Sequence, residues 1–215
     1  MLFGIFIYDG VEPIDLATFG VLSMARRIAP RIRICTIAPK AGIISLSNGL
    51  DVIAQFGIDD APVCDVVIVT GGPGWERQAA SEATLDYVRR VHASTQVASV
   101  CTGGMILAAS GVLDGIAATT KRAVAPPEVS PLLRMRSAYP QIDVQEAPII
   151  DSGAVVTGGG VSLCIDTTLH IIQRMLGDAV ASDRSGVDDA RRYSPATTAG
   201  SPSPASGATG GTTTR

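Results

Sequence analysis

The chain is expected to fold as an α/β domain on a mostly parallel central sheet with helices on both faces. Three observations predict this. Short β-prone apolar runs alternate with helix-patterned segments up to about residue 177, the pattern of βαβ units. One run, Val66-Val67-Ile68-Val69, is apolar throughout, as strands buried on both faces are. Several runs end in a turn, two of them rich in glycine, and ligands of such sheets bind beyond the carboxyl ends of the strands.

Residues 2–8 read as the first strand. Residues 14–29 read as a helix, with Ile14, Leu16, Ala17, Val21, Leu22 and Ala25 at helical spacing. Pro13 suits its first turn and Pro30 stops it. Residues 32–38 form a second strand. Residues 43–46 and 51–55 flank Ser47-Asn48-Gly49-Leu50, and Asn-Gly is a strong hairpin signal. Strands follow at 66–70 and 96–100, and helices at 82–92 and 104–110. Asp151-Ser152-Gly153 turns a strand near 147–150 into another near 154–157, before a helix from about 161 to 176.

These elements define one domain over residues 1–180. The composition then shifts toward Ser, Pro, Thr, Ala and Gly. Such a segment is too poor in large apolar residues to offset its ordering entropy. Residues 181–215 are therefore expected to form a flexible low-complexity tail, disordered over 200–215, with no second domain.

The bulk numbers agree. The chain has 215 residues, 46% hydrophobic and 17% charged, which suits one large compact domain. A net charge of −3 offers no basic field, so nucleic acid is not an expected partner. The first residues lack a basic leader region and no apolar run reaches spanning length. A cytoplasmic protein without membrane contact is expected.

Four cysteines are present. Their spacing fits no zinc signature, and a domain this size needs no disulfide framework. Cys35, Cys64 and Cys164 read as packing residues, since no Cys-x-x-Cys supports a redox pair. Cys101 differs. In Gln96-Val97-Ala98-Ser99-Val100-Cys101-Thr102-Gly103-Gly104-Met105 a strand ends abruptly in cysteine and a helix follows. That is the pattern of a nucleophile elbow, and the N–H groups of the helix start favour thiolate. The alternative is a buried strand-end cysteine serving as a small core residue.

Two other strand ends carry candidate chemistry. Gly71-Gly72-Pro73-Gly74 lets backbone approach a ligand closely. Beside Cys101, the Gly72 and Thr102 N–H groups would form an oxyanion hole; otherwise the segment is a tight turn. It is not a phosphate loop, because no Gly-Lys-Ser/Thr follows at the required spacing. Near the first strand end lie Asp9, Glu12 and Asp15. Asp15 either complements a helix dipole or faces Cys101 and shuttles a proton. His92 and His170 are the only histidines. Neither follows Cys101 directly, so a Cys/His hydrolase is disfavoured.

Taken together, these residues resemble the DJ-1/PfpI superfamily over about residues 1–177. The likeness rests on Asp9-Gly10-Val11 with Asp15-Leu16, Val69-Thr70-Gly71-Gly72-Pro73-Gly74, Ser99-Val100-Cys101-Thr102-Gly103, Leu113-Asp114-Gly115 with Ala118-Thr119-Thr120, and Thr157-Gly158-Gly159-Gly160-Val161 with Ile165-Asp166. It implies a flavodoxin-like three-layer sandwich, similar also to class I glutamine amidotransferases. The Cys-Thr-Gly elbow and an Asp on the first helix resemble the isonitrile hydratase branch and its regulator-fused relatives. Protease-like members have Cys followed by His, where Thr102 stands here.

The resemblance implies a hydro-lyase that hydrates a small isonitrile to an N-substituted formamide. Cys101 would attack the isonitrile carbon, and Asp15 would protonate that carbon or activate water. Thr102 and the Gly71-Gly72 loop would hold developing charge and substrate. No metal or organic cofactor is implied, and a homodimer is. Lys121 and Arg122 replace a His frequent in relatives, which alters charge at the pocket rim. The AraC-type DNA-binding domain of the regulator-fused relatives is absent from this sequence. Glyoxalase- or deglycase-like action on reactive carbonyls, and a non-catalytic cysteine-based ligand or redox sensor, remain alternatives.

Overall fold

Strand and helix alternate from the start of the computed structural model, which describes residues 1–177. The expected domain end at 180 and the expected tail over 181–215 lie outside the described residues. Strand β1 (Leu2–Phe6) leads through a 3-10 turn (Pro13–Leu16) into α1 (Ala17–Ala25) and β2 (Arg33–Ala38). The hairpin strands β3 (Gly42–Ser45) and β4 (Asp51–Ala54) follow, then β5 (Phe56–Gly57) and β6 (Val66–Val69). Next come α2 (Trp75–Ala79), α3 (Glu82–His92), β7 (Gln96–Ser99), α4 (Gly103–Ser110) and β8 (Ala117–Ala118). The described chain closes with α5 (Pro131–Ala138), β9 (Asp143–Val144), β10 (Ile149–Asp151), β11 (Val155–Gly158) and α6 (Leu163–Leu176).

The main sheet has the order β10-β11-β7-β6-β1-β2-β5. Every neighbouring pair is parallel except β10 and β11 at one edge. Apolar strands occupy the centre because both faces are covered: β6 is buried along its whole length, and β1 from its second residue on. Helices α1 and α6 pack together, α1 against β2 and α6 against β11, while α3 and α4 cover β6 and β7. The result is the flavodoxin-like three-layer sandwich.

The chain builds outward from β1 through β2 to β5, then returns to the other side of β1 with β6. The order therefore reverses between β1 and β6. A crevice opens beyond the carboxyl ends of strands at such a switch point. The segments leaving β1, β6 and β7 all emerge there.

Some elements differ from expectation. The helix read over 14–29 splits into the 3-10 turn and α1, which stops at Ala25. Tighter i→i+3 bonds then enter, Arg27 N–H to Met24 O at 3.0 Å and Ile28 N–H to Ala25 O at 3.1 Å, beside a last i→i+4 bond from Ala29 N–H to Ala25 O at 2.9 Å. Residues ahead of a proline disfavour α geometry, and Pro30 is close. The hairpin does form, but through a longer connection containing a 3-10 turn, with Asn48 at φ 65°. Helices α2 and α5 and strands β5, β8 and β9 lack an apolar period long enough to read. Among the described residues, no helix is long and apolar enough to cross a membrane.

Candidate active site

At the end of β7 the chain turns through Val100-Cys101-Thr102 into α4. Cys101 takes φ 52°, a left-handed conformation that costs a non-glycine residue roughly 1–3 kcal/mol. The surroundings enforce it. Cys101 N–H donates to Gly159 O at 3.0 Å, Gly103 N–H donates to Val100 O at 2.9 Å, and the Thr120 hydroxyl donates to Cys101 O at 2.8 Å. This is the geometry of an elbow, with the sulfur displayed at the switch-point crevice.

The loop after β6 lies directly against the elbow. A Cβ on Gly71 would sit 2.4 Å from Thr102 N and 2.9 Å from Cys101 Cβ, so only glycine permits this approach. The backbone amides of the loop are already engaged. Gly71 N–H donates to Asp15 Oδ2 at 2.6 Å, and Gly72 N–H donates to Thr102 Oγ1 at 2.8 Å. The Thr102 hydroxyl in turn reaches Gly72 O at 3.3 Å. This changes the oxyanion hole drawn from sequence. Its Gly72 donor is tied to a neighbouring side chain, and the amides that hydrogen-bond Cys101 Sγ are those of Thr102 and Val161.

Asp15 lies in the 3-10 turn after β1 and is 0% exposed. Its Oδ2 accepts the Gly71 amide, while its Oδ1 has no hydrogen-bond partner. A carboxyl that only complemented a helix dipole would face water. Burial pushes Asp15 up to about 7; the Gly71 N–H and the Lys121 charge act downward, and Glu12 acts upward. Burial is also the largest influence on Cys101, pushing its thiol up to about 11 with the Asp15 charge acting the same way. The Val161 and Thr102 amides and Lys121 oppose this without overcoming it. Against the thiolate expected from sequence, the thiol is thus held above its ordinary range. The helix start is outweighed by desolvation and by a neighbouring carboxylate.

Several residues here escape sequence reasoning. Tyr8 is fully buried, its hydroxyl donates to Thr70 O at 3.0 Å, and burial with the Asp15 and Cys101 charges pushes its phenol up. Its position just past β1 was a usable signal. Val161, at φ 48°, lies in the Gly158-Gly159-Gly160-Val161 run but carries no chemistry in its side chain.

Above Cys101 opens a cavity of about 750 Å³ whose lining includes Ile14, Trp75, Val129, Pro131, Lys121 and Glu12. Lys121 faces it and pairs with Glu128 at 3.0 Å. Arg122 instead pairs with Glu146 on a neighbouring cavity of about 480 Å³. Of the two rim cations expected from sequence, only Lys121 therefore faces Cys101. Neither histidine lines the Cys101 cavity; His170 Nε2 meets Asp151 Oδ2 at 2.8 Å near the sheet edge. Cys164 is a buried neighbour whose thiol donates to Ile14 O at 3.4 Å.

The DJ-1/PfpI family profile matches residues 4–174. The chain belongs to the DJ-1/PfpI family. It is 31% identical to an isonitrile hydratase of Pseudomonas putida over 176 residues, covering 81% of this chain and 72% of that protein. It is also 29% identical to the HTH-type transcriptional regulator GbdR of Pseudomonas aeruginosa, covering 81% of this chain but only 46% of the regulator. A solved ThiJ/PfpI family protein of Pseudomonas syringae superposes with a TM-score of 0.74 at 21% identity, over 90% of this chain and 75% of that one. That likeness concerns the DJ-1/PfpI fold alone.

Proposed function

We propose that the chain is an isonitrile hydratase-like enzyme that uses Cys101 as nucleophile and Asp15 as proton carrier. The observation that carries this reading is a thiol on a strained elbow within electrostatic reach of a buried carboxyl that is pushed up to about 7 and has one oxygen without a hydrogen-bond partner. General acid–base groups work best with values near the working pH. The likeness to the Pseudomonas putida enzyme supplies the substrate class.

The proton balance closes within the pair. Asp15 as carboxylate removes the Cys101 proton while sulfur attacks the terminal isonitrile carbon. The same proton passes from Asp15 to that carbon, so S–H has added across it and a thioimidate results. Water then adds to the thioimidate carbon, and the proton Asp15 takes from it passes to the imine nitrogen, leaving the hydroxyl proton for the departing sulfur. The C–S bond breaks, the N-substituted formamide leaves, and the thiol regains its proton. The Thr102 and Val161 amides hold the sulfur as charge passes through it. The apolar walls from Ile14, Trp75, Val129 and Pro131 suit an uncharged substrate body. The substrate is thus a small molecule, and a cytoplasmic homodimer is the assembly proposed with it.

A second reading is a ligand-sensing domain without turnover, supported by the likeness to the regulator GbdR. Formamide production from an aromatic and an alicyclic isonitrile separates the two. Turnover lost in both Cys101→Ala and Asp15→Ala supports the hydratase. Absent turnover together with saturable binding of isonitrile supports the sensor.

A further inference from the structure

A second sulfur site lies at the amino end of β6, the end opposite Gly71 and Gly72. Cys35 sits in β2 and Cys64 just ahead of β6, and these two strands flank β1. Strands separated by one neighbour lie roughly 9–10 Å apart, too far for small side chains to meet over an ordinary residue. Between them β1 places Gly4, paired with Cys35 on one side and Val67 on the other. A Cβ on Gly4 would lie 2.8 Å from Cys64 Sγ. Sulfur occupies the space the glycine leaves, and Cys35 Sγ and Cys64 Sγ come to 3.9 Å.

The pair is buried, with Cys64 at its outer edge. Cys64 lines a surface groove of about 260 Å³ with Pro62, Val63, Tyr87 and Arg90. Residues 61–64 carry no helix or strand, and Cys64 is held there by its thiol on Pro62 O at 3.4 Å and by the Thr95 hydroxyl on its carbonyl at 3.0 Å. The sulfur–sulfur hydrogen bond holds the Cys35 thiol below its ordinary range and, with burial, pushes the Cys64 thiol up, so Cys35 is the readier nucleophile of the two.

We propose that Cys35 and Cys64 form a redox-active dithiol, separate from Cys101, which a small hydroperoxide converts into a disulfide. Cys35, the thiol held low by its neighbour, attacks the peroxide oxygen as thiolate. The O–O bond breaks, Cys35 becomes a sulfenic acid, and the alcohol or water leaves. Cys64 then attacks that sulfur, the S–O bond breaks, and the hydroxide departs as water with the Cys64 proton. The two sulfurs lose the two electrons that the O–O bond gains. Closing the 3.9 Å gap to the roughly 2 Å of a disulfide requires the 61–64 segment to move toward β2, releasing the Cys64 thiol from Pro62 O and the Thr95 hydroxyl from Cys64 O.

The test uses folded full-length Cys101→Ser, so that the elbow thiol cannot consume oxidant, with wild type in parallel. Each is treated with hydrogen peroxide, denatured, alkylated and mapped by mass spectrometry. The expected result is a loss of about 2 Da per chain with a linked Cys35–Cys64 peptide, reversed by dithiothreitol. Adding Cys64→Ser, or Cys35→Ser should that variant fail to fold, abolishes the linked species. Recovery of both cysteines alkylated, oxidised separately, or linked to Cys164 overturns the proposal. None of these outcomes depends on isonitrile turnover.

Discussion

Cys101 and the Cys35–Cys64 pair are buried cysteines of one sheet, yet the fold treats them differently. Cys101 is held at φ 52° on a turn, beside a carboxyl and under a cavity of about 750 Å³. Cys35 and Cys64 face one another across a glycine, 3.9 Å apart. At the elbow, the proposed proton partner is Asp15, whose carboxyl accepts the Gly71 amide and acts electrostatically on the sulfur. In the pair, each sulfur's partner is the other. A buried thiol becomes chemistry through its partner, and the two partners point to different reactions: addition to carbon at one, two-electron oxidation at the other.

Replacing the partner should therefore matter nearly as much as replacing the sulfur. Cys101→Ala is expected to reduce formamide formation to background, while Cys35→Ser leaves it within about twofold; steady-state rates decide this. Asp15→Asn should lower kcat/KM by about 10²–10⁴-fold, the range of a general acid–base contribution. The same variant has an opposite effect on stability. Asp15 is raised above its ordinary carboxylate range when folded, so its contribution to stability is full at acid pH and is lost as pH rises through about 7. That loss is on the order of 4 kcal/mol at most. Asp15→Asn should flatten this dependence, which denaturant melts at pH 5 and 8 would reveal.

Smaller effects sharpen the contrast. Gly71→Ala drives a Cβ against Thr102 N and should destabilise by about 1–3 kcal/mol, as overpacking does; thermal melts measure it. Lys121→Gln removes a charge that holds both Asp15 and Cys101 down. It should move the pH–rate profile upward by a fraction of a unit while stability changes little.

The two sulfur sites also differ in how far they could be read from sequence. The elbow was legible because a strand, a cysteine and small residues are adjacent in the chain. Asp15 was legible because it follows β1, and strand ends meet at the switch point. The destination of the Gly72 amide was not legible, because it depends on how closely Thr102 approaches. The Val161 amide was not, since it lies sixty residues from Cys101 in the chain and reaches the sulfur only through tertiary packing. Cys35 and Cys64 read as packing residues. Their meeting requires strand order, register and the missing side chain of Gly4 together. Among the elements, α3 was legible to its ends: the helix read over 82–92 forms as Glu82–His92. Helix α2 was not: its five residues, Trp75–Ala79, show too little of the helical period.

The central claim is that Cys101 and Asp15 share one working proton. The pH dependence of kcat/KM for formamide formation tests it most directly. The account predicts turnover that rises through about pH 7, as Asp15 becomes the carboxylate that takes the thiol proton. Turnover that is flat through this region, or that rises only in the range where the thiol itself ionises, would contradict it.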